Sequence, residues 1–137
     1  MATPMNGIRI LELTRVGPGA FCTRLMADMG AEVIKIDGPD DPVRGSRGTD
    51  KEQRIRRQGL DRNKKSIVLD LKQAASQQVF QKLAATADVI VEGFRPGISK
   101  RLGVDYDTIR AINPRLVYCS LSGYGQTGPY SHLPGHD

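Results

Sequence analysis

An apolar, strand-length run at residues 8–13 (IRILEL) is followed by Gly17-Pro18-Gly19 and then by a second such run at 32–36 (EVIKI). Between them Phe21, Leu25 and Met29 recur every four residues, with Cys22 and Met26 beside them. That spacing marks one apolar helix face, which Gly30 closes. Strand, helix and strand within about thirty residues make a βαβ unit, right-handed by the usual rule, and commit the chain to a parallel sheet.

The alternation then repeats. Residues 66–69 form a strand pattern, Val79, Leu83 and Ala87 mark a helix, and 89–91 are strand again. Asp105 is placed to cap a helix through Ile109 and Ile112, Asn113-Pro114 ends it, and 116–120 (LVYCS) supply a last strand. The expected fold is α/β, a Rossmann-like parallel sheet with flanking helices, forming one domain over residues 1–137. A long basic loop at 37–65 interrupts it. With 39% apolar residues the chain can build a modest core.

Two cysteines, Cys22 and Cys119, stand far apart in sequence and lack metal-ligand spacing, and the start of the chain carries no secretory pattern. A cytoplasmic setting with reduced thiols is expected, and no metal site. No apolar run approaches the ~20 residues that cross a bilayer, so no membrane span is expected.

The net charge of +5 is unevenly spread. Between Arg44 and Lys65 nine basic residues face three acidic ones, a local +6 on a near-neutral body. Such a segment implies an anionic partner meeting one place on the surface, and a nucleic acid, an acidic lipid surface or a phosphorylated small molecule all satisfy that condition.

Several segments carry candidate chemistry. Gly17-Pro18-Gly19 follows the first strand, but a dinucleotide fingerprint needs a third glycine where Cys22 stands. Asn63-Lys64-Lys65 is expected to place two ammonium groups at a sheet mouth, where phosphates bind; the alternative is a solvated face. Gly93-Phe94-Arg95 follows another strand. Its guanidinium suits an anion and its ring an apolar group, against the plainer reading of a tight turn. Gly123-Tyr124-Gly125 lies in a glycine-rich stretch able to offer amide hydrogens to an oxyanion. His136 stands in the closing Gly-His-Asp.

Taken in order, IRILEL, GPG, FCTRLMADMGAEVIKI, NKKSIVLDLK, DVIVEGFRPG, LGVDYDTIRAINPRLVY and SGYGQTGPY resemble the class III CoA-transferase family (CaiB/BaiF type). That family also contains the alpha-methylacyl-CoA racemases. The likeness runs from about Gly7 to Asp137. It implies the N-terminal, CoA-binding part of a larger enzyme whose protomers interlock as a homodimer, with an acyl-CoA thioester as substrate and no separate cofactor. It also implies CoA contacts at Asn63, Lys64, Lys65, Gly93, Phe94, Arg95 and Arg101, and explains the basic loop by the phosphates of CoA. Many members carry an arginine at the position of Gly38.

Within the resemblance, His136 points to the racemase branch, where a histidine serves as one of two opposed bases; transferases commonly have tyrosine there. The implied reaction is removal of the proton alpha to the thioester carbonyl of a 2-methylacyl-CoA, then reprotonation on the opposite face. A histidine, with a reference pKa of about 6.5, is suited to the first step. Gly123, Tyr124 and Gly125 are candidate surroundings for the enolate oxygen. The second base is expected beyond Asp137. The alternatives are a CoA-transferase or a non-catalytic CoA-binding fragment; a nucleic-acid reader lacks interleaved aromatics or a known motif.

Overall fold

The computed structural model describes residues 3–14, 17–39 and 59–135. Most of the basic loop, together with His136 and Asp137, lies outside the described residues. Among the described residues the elements are β1 (Arg9–Leu13), α1 (Gly17–Asp28), β2 (Glu32–Asp37), β3 (Lys64–Val68), α2 (Ala74–Ala84), β4 (Val89–Glu92), α3 (Ile98–Arg101), α4 (Tyr106–Ile112) and β5 (Val117–Ser120). All strand pairs are parallel and the order is β3-β2-β1-β4-β5. The expected α/β class and parallel sheet are therefore present.

Strand β1 shows why two layers of helix are required. Its residues alternate between two apolar clusters. Leu11 and Leu13 belong to the larger one with Phe80, Ala84, Ile90, Val104 and Ile109, under α2 and α4. Ile10 belongs to the smaller one with Ala27, Ala31, Val33 and Val91, under α1. A central parallel strand buries both faces, so apolar residues stand on both of them, and even the polar Glu12 between Leu11 and Leu13 is buried.

Helix α1 corrects one expectation. The Phe21, Leu25 and Met29 face is turned outward, each of these residues being more than two-fifths exposed, while Gly19, Ala20, Thr23 and Ala27 are buried. The small residues set the helix close to the sheet. A Cβ at Gly19 would lie 2.5 Å from Thr14 Cγ2, so only glycine allows that approach. In α2 the buried residues are Phe80 and Ala84 rather than Val79, which is exposed, and Ala87 lies past the helix end.

Helix α4 forms as its sequence signals. The Asp105 side chain accepts hydrogen bonds from the Thr108 amide (3.4 Å) and hydroxyl (2.7 Å), capping the first turn. Asn113 ends the helix and donates to the carbonyls of Ala84 (3.0 Å) and Ala87 (2.8 Å), fastening it to the end of α2. Tyr118 on β5 donates to the Val104 carbonyl at 2.8 Å. Burial, with the Glu92 carboxylate nearby, pushes its phenol pKa up.

Candidate functional site

The strand order reverses between β1 and β4, because β1 connects leftward through α1 while β3 crosses back to β4. In open α/β sheets ligands bind at the carboxyl ends of the strands at such a switch point. Thr14 follows β1 and Gly93 follows β4, which places both at this crevice.

Two cavities meet there, and Thr14 and Phe94 line both. The smaller, about 110 Å³, continues over residues 36–39 and 69–72 and reaches Leu102. The larger, about 610 Å³, is bounded by the glycine turn 17–19, residues 93–96, 121–123 and 131, and 133–135. Its walls are mostly backbone, glycine, proline and leucine. Ser122 Oγ is shielded from solvent there and has no hydrogen-bond partner among the described residues.

Local bonding holds this geometry. Glu92 is fully buried at the end of β4, and its Oε2 accepts the Phe94 amide at 2.6 Å, which shapes the turn presenting Phe94 and Arg95. Thr14 is buried as well and donates to Glu12 Oε1 at 2.8 Å. Glu12 Oε2 in turn accepts from the Thr23 hydroxyl (2.7 Å) and from Lys64 Nζ (2.7 Å). A buried ion pair beneath α1 therefore anchors Thr14, one of the two residues that the cavities share.

The expected residues are not all gathered there. Gly93, Phe94, Arg95 and Gly123 line the larger cavity. Arg101 ends α3, one residue before Leu102 of the smaller one. Arg95 and Arg101 are exposed and have no carboxylate partner among the described residues. Tyr124 and Gly125 stand aside from both cavities, and Tyr124 packs on Tyr130 with ring centroids 6.1 Å apart.

The expectation that Asn63, Lys64 and Lys65 stand at the ligand mouth is not met. Strand β3 begins at Lys64, so these residues lie at the amino end of the sheet, opposite the crevice. Lys64 is buried against Glu12, the Thr23 hydroxyl and the Ala20 carbonyl. Lys65 donates to Glu32 at 2.6 Å, and Asn63 to Asp28 at 2.8 Å. Arg62 pairs with Asp28 too, and its hydrogen bond is the main cause holding that carboxyl below its usual pKa. Thus Arg62, Lys64 and Lys65 of the basic segment are neutralised within the fold, and the other six basic residues lie outside the described ones.

The lysine that does reach the crevice is Lys72, which sequence reasoning missed. The signal was present: Leu69, Asp70, Leu71 and Lys72 follow the carboxyl end of β3.

Comparison with known proteins agrees with this architecture. The model of CoA-transferase family III matches residues 5–137. The acetyl-CoA:oxalate CoA-transferase of Acetobacter aceti is 41% identical over 136 residues, covering 98% of this chain and 35% of that protein. The human alpha-methylacyl-CoA racemase is 38% identical over 133 residues, covering 97% and 32%. A CAIB/BAIF family protein from Brucella suis superposes with a TM-score of 0.85 at 34% identity, over 100% of this chain and 38% of that one. The chain spans about a third of the length of these relatives. With its family model matched from residue 5 to residue 137, on a parallel sheet shared with solved relatives, the chain belongs to CoA-transferase family III.

Proposed function

We propose that this chain is the part of a family III enzyme that grips an acyl-CoA, the nucleotide end in the smaller cleft and the pantetheine thioester toward the larger cavity. The observation that carries the reading is the pair of cavities joined at Thr14 and Phe94, flanked by the guanidinium groups of Arg95 and Arg101, which have no carboxylate partner among the described residues. Cations without an internal partner suit phosphates, and an apolar, glycine-walled cavity suits an acyl chain whose thioester oxygen needs hydrogen-bond donors. This reading assigns that role to the Ser122 hydroxyl, which has no partner among the described residues, and to the backbone amides around Gly123.

For the whole enzyme we favour racemisation of a 2-methylacyl-CoA. His136, covalent neighbour of the cavity-lining Gly135, serves as one of the two opposed bases. Proton abstraction by a positioned base and electrostatic support of the enolate supply the rate. CoA transfer between carboxylic acids is the second reading, favoured by the slightly higher identity to a CoA-transferase than to a racemase (41% against 38%).

The test uses a family-length protein carrying this sequence. Racemisation requires exchange of the alpha proton of a 2-methylacyl-CoA with solvent deuterium, lost in His136→Ala. Transfer of CoA between two acids with no such exchange would establish the second reading instead.

A further inference from the structure

The wall of the larger cavity is closed by a contact between two residues that have no side chains. A Cβ on Gly123 would lie 2.2 Å from Gly135 Cα, and a Cβ on Gly135 would lie 2.3 Å from Gly123 Cα. Such distances do not occur, and the obstructing atoms are backbone, which cannot swing aside as a flexible side chain does. Neither glycine is required for a left-handed turn. Positive φ occurs instead at Gly125 (83°) and Gly128 (94°), inside the segment that the pair encloses. Glycine is demanded at 123 and 135 by close approach.

The enclosed segment depends on this crossing. Its hydrogen bonds among the described residues are internal: Ser131 donates to the Gly128 carbonyl from both its amide (3.3 Å) and its hydroxyl (3.0 Å), and Leu133 donates to Tyr130 (2.9 Å). The Tyr124 and Tyr130 rings pack on each other outside. A compact loop with touching ends and its own packing is an Ω-loop, a type often used to cover a site. Here Ser131, Leu133 and Gly135 line the larger cavity together with Gly17 and Gly19.

We propose that the Gly123–Gly135 crossing is a positioning device that fixes this loop as the cavity wall. It thereby sets affinity for the acyl-thioester end of an acyl-CoA and leaves the nucleotide end untouched. The inference rests on the reading that the two cavities take opposite ends of that ligand. A methyl group at either position forces the two backbones apart and opens the wall. The smaller cleft shares no residue with the loop.

Gly123→Ala, Gly135→Ala and the control Gly59→Ala, whose Cβ would meet nothing within 4 Å, are titrated calorimetrically with two probes: acetyl-CoA and 3′-phosphoadenosine 5′-diphosphate, the nucleotide half of CoA. Each crossing variant is expected to lose about tenfold or more in acetyl-CoA affinity, the scale of a disturbed apolar subsite. Nucleotide affinity should stay at the unsubstituted level, which also reports an intact fold. The control should match the unsubstituted chain with both probes. Retained acetyl-CoA affinity in both crossing variants overturns the inference, as does a parallel loss of both affinities. If the unsubstituted chain binds neither probe, the two-cavity reading itself falls and takes the inference with it.

Discussion

Lys64 Nζ lies 2.7 Å from Glu12 Oε2 with the two side chains 1% and 0% exposed, and this pair joins the start of β3 to β1 beneath α1. A buried charge left without its partner is far more costly than the pair is stabilising. Lys64→Met should therefore destabilise the chain by roughly 3–5 kcal/mol, and adding Glu12→Leu should recover much of that loss. Urea midpoints of the two single variants and the double variant check this. A loss in the double variant equal to the sum of the two single-variant losses would mean that the pair is not coupled.

The orientation of α1 gives a second test. Leu25 is 45% exposed and Ala27 only 7%. Leu25→Gln should change stability by no more than about 0.5 kcal/mol, as surface substitutions do. Ala27→Leu should cost about 1–3 kcal/mol by overpacking the small cluster against β1 and β2. Thermal melts of both variants decide it, and the reverse ranking would place the Phe21, Leu25 and Met29 face inward.

That ranking also shows where sequence reading stops. The parallel sheet, the helix stop at Gly30 and the Asp105 cap were legible, because period, glycine punctuation and capping chemistry are local signals. Which side of α1 faces the sheet was not. Periodicity locates an apolar stripe, whereas the distance at which a helix packs is set by small residues such as Gly19 and Ala20. Lys64 and Lys65 are assigned to the ligand mouth by their place beside a strand and by the resemblance to the family, neither of which says at which end of that strand they stand. A strand that starts at Lys64 carries its first side chains at the amino end, so the crevice receives Lys72 instead. The Gly123–Gly135 crossing joins two loop positions that no pattern links.

Acid should unfold the chain earlier than base. The Arg62 hydrogen bond holds the Asp28 carboxyl below its ordinary 3.8, and Lys65, then Arg9, hold Glu32 below 4.5. A lowered carboxyl pKa contributes stability that is present above the unfolded value and lost as pH falls through the folded one. Burial pulls the Lys35 ammonium down, but Asp61, Asp37 and Glu12 outweigh it and raise its pKa above 10.5. That contribution is complete below 10.5 and is lost only as pH rises through the folded value. Urea midpoints should hold level through neutral pH and drop below about pH 4.5. Glu32→Gln should shallow the acid limb, and 1 M salt should shrink it, because these carboxylates are solvent-accessible. Stability rising on acidification below pH 4 would contradict the assignment.

The central claim is that the crevice between β1 and β4 receives CoA, and calorimetric titration of the folded chain with CoA at low ionic strength tests it most directly. One site per chain is predicted, with affinity falling as salt is added. Arg95→Ala and Arg101→Ala should each weaken binding by roughly tenfold, the scale of one charge-assisted hydrogen bond. A folded sample that gives no heat with CoA, or that binds duplex DNA more tightly than CoA, would contradict the account.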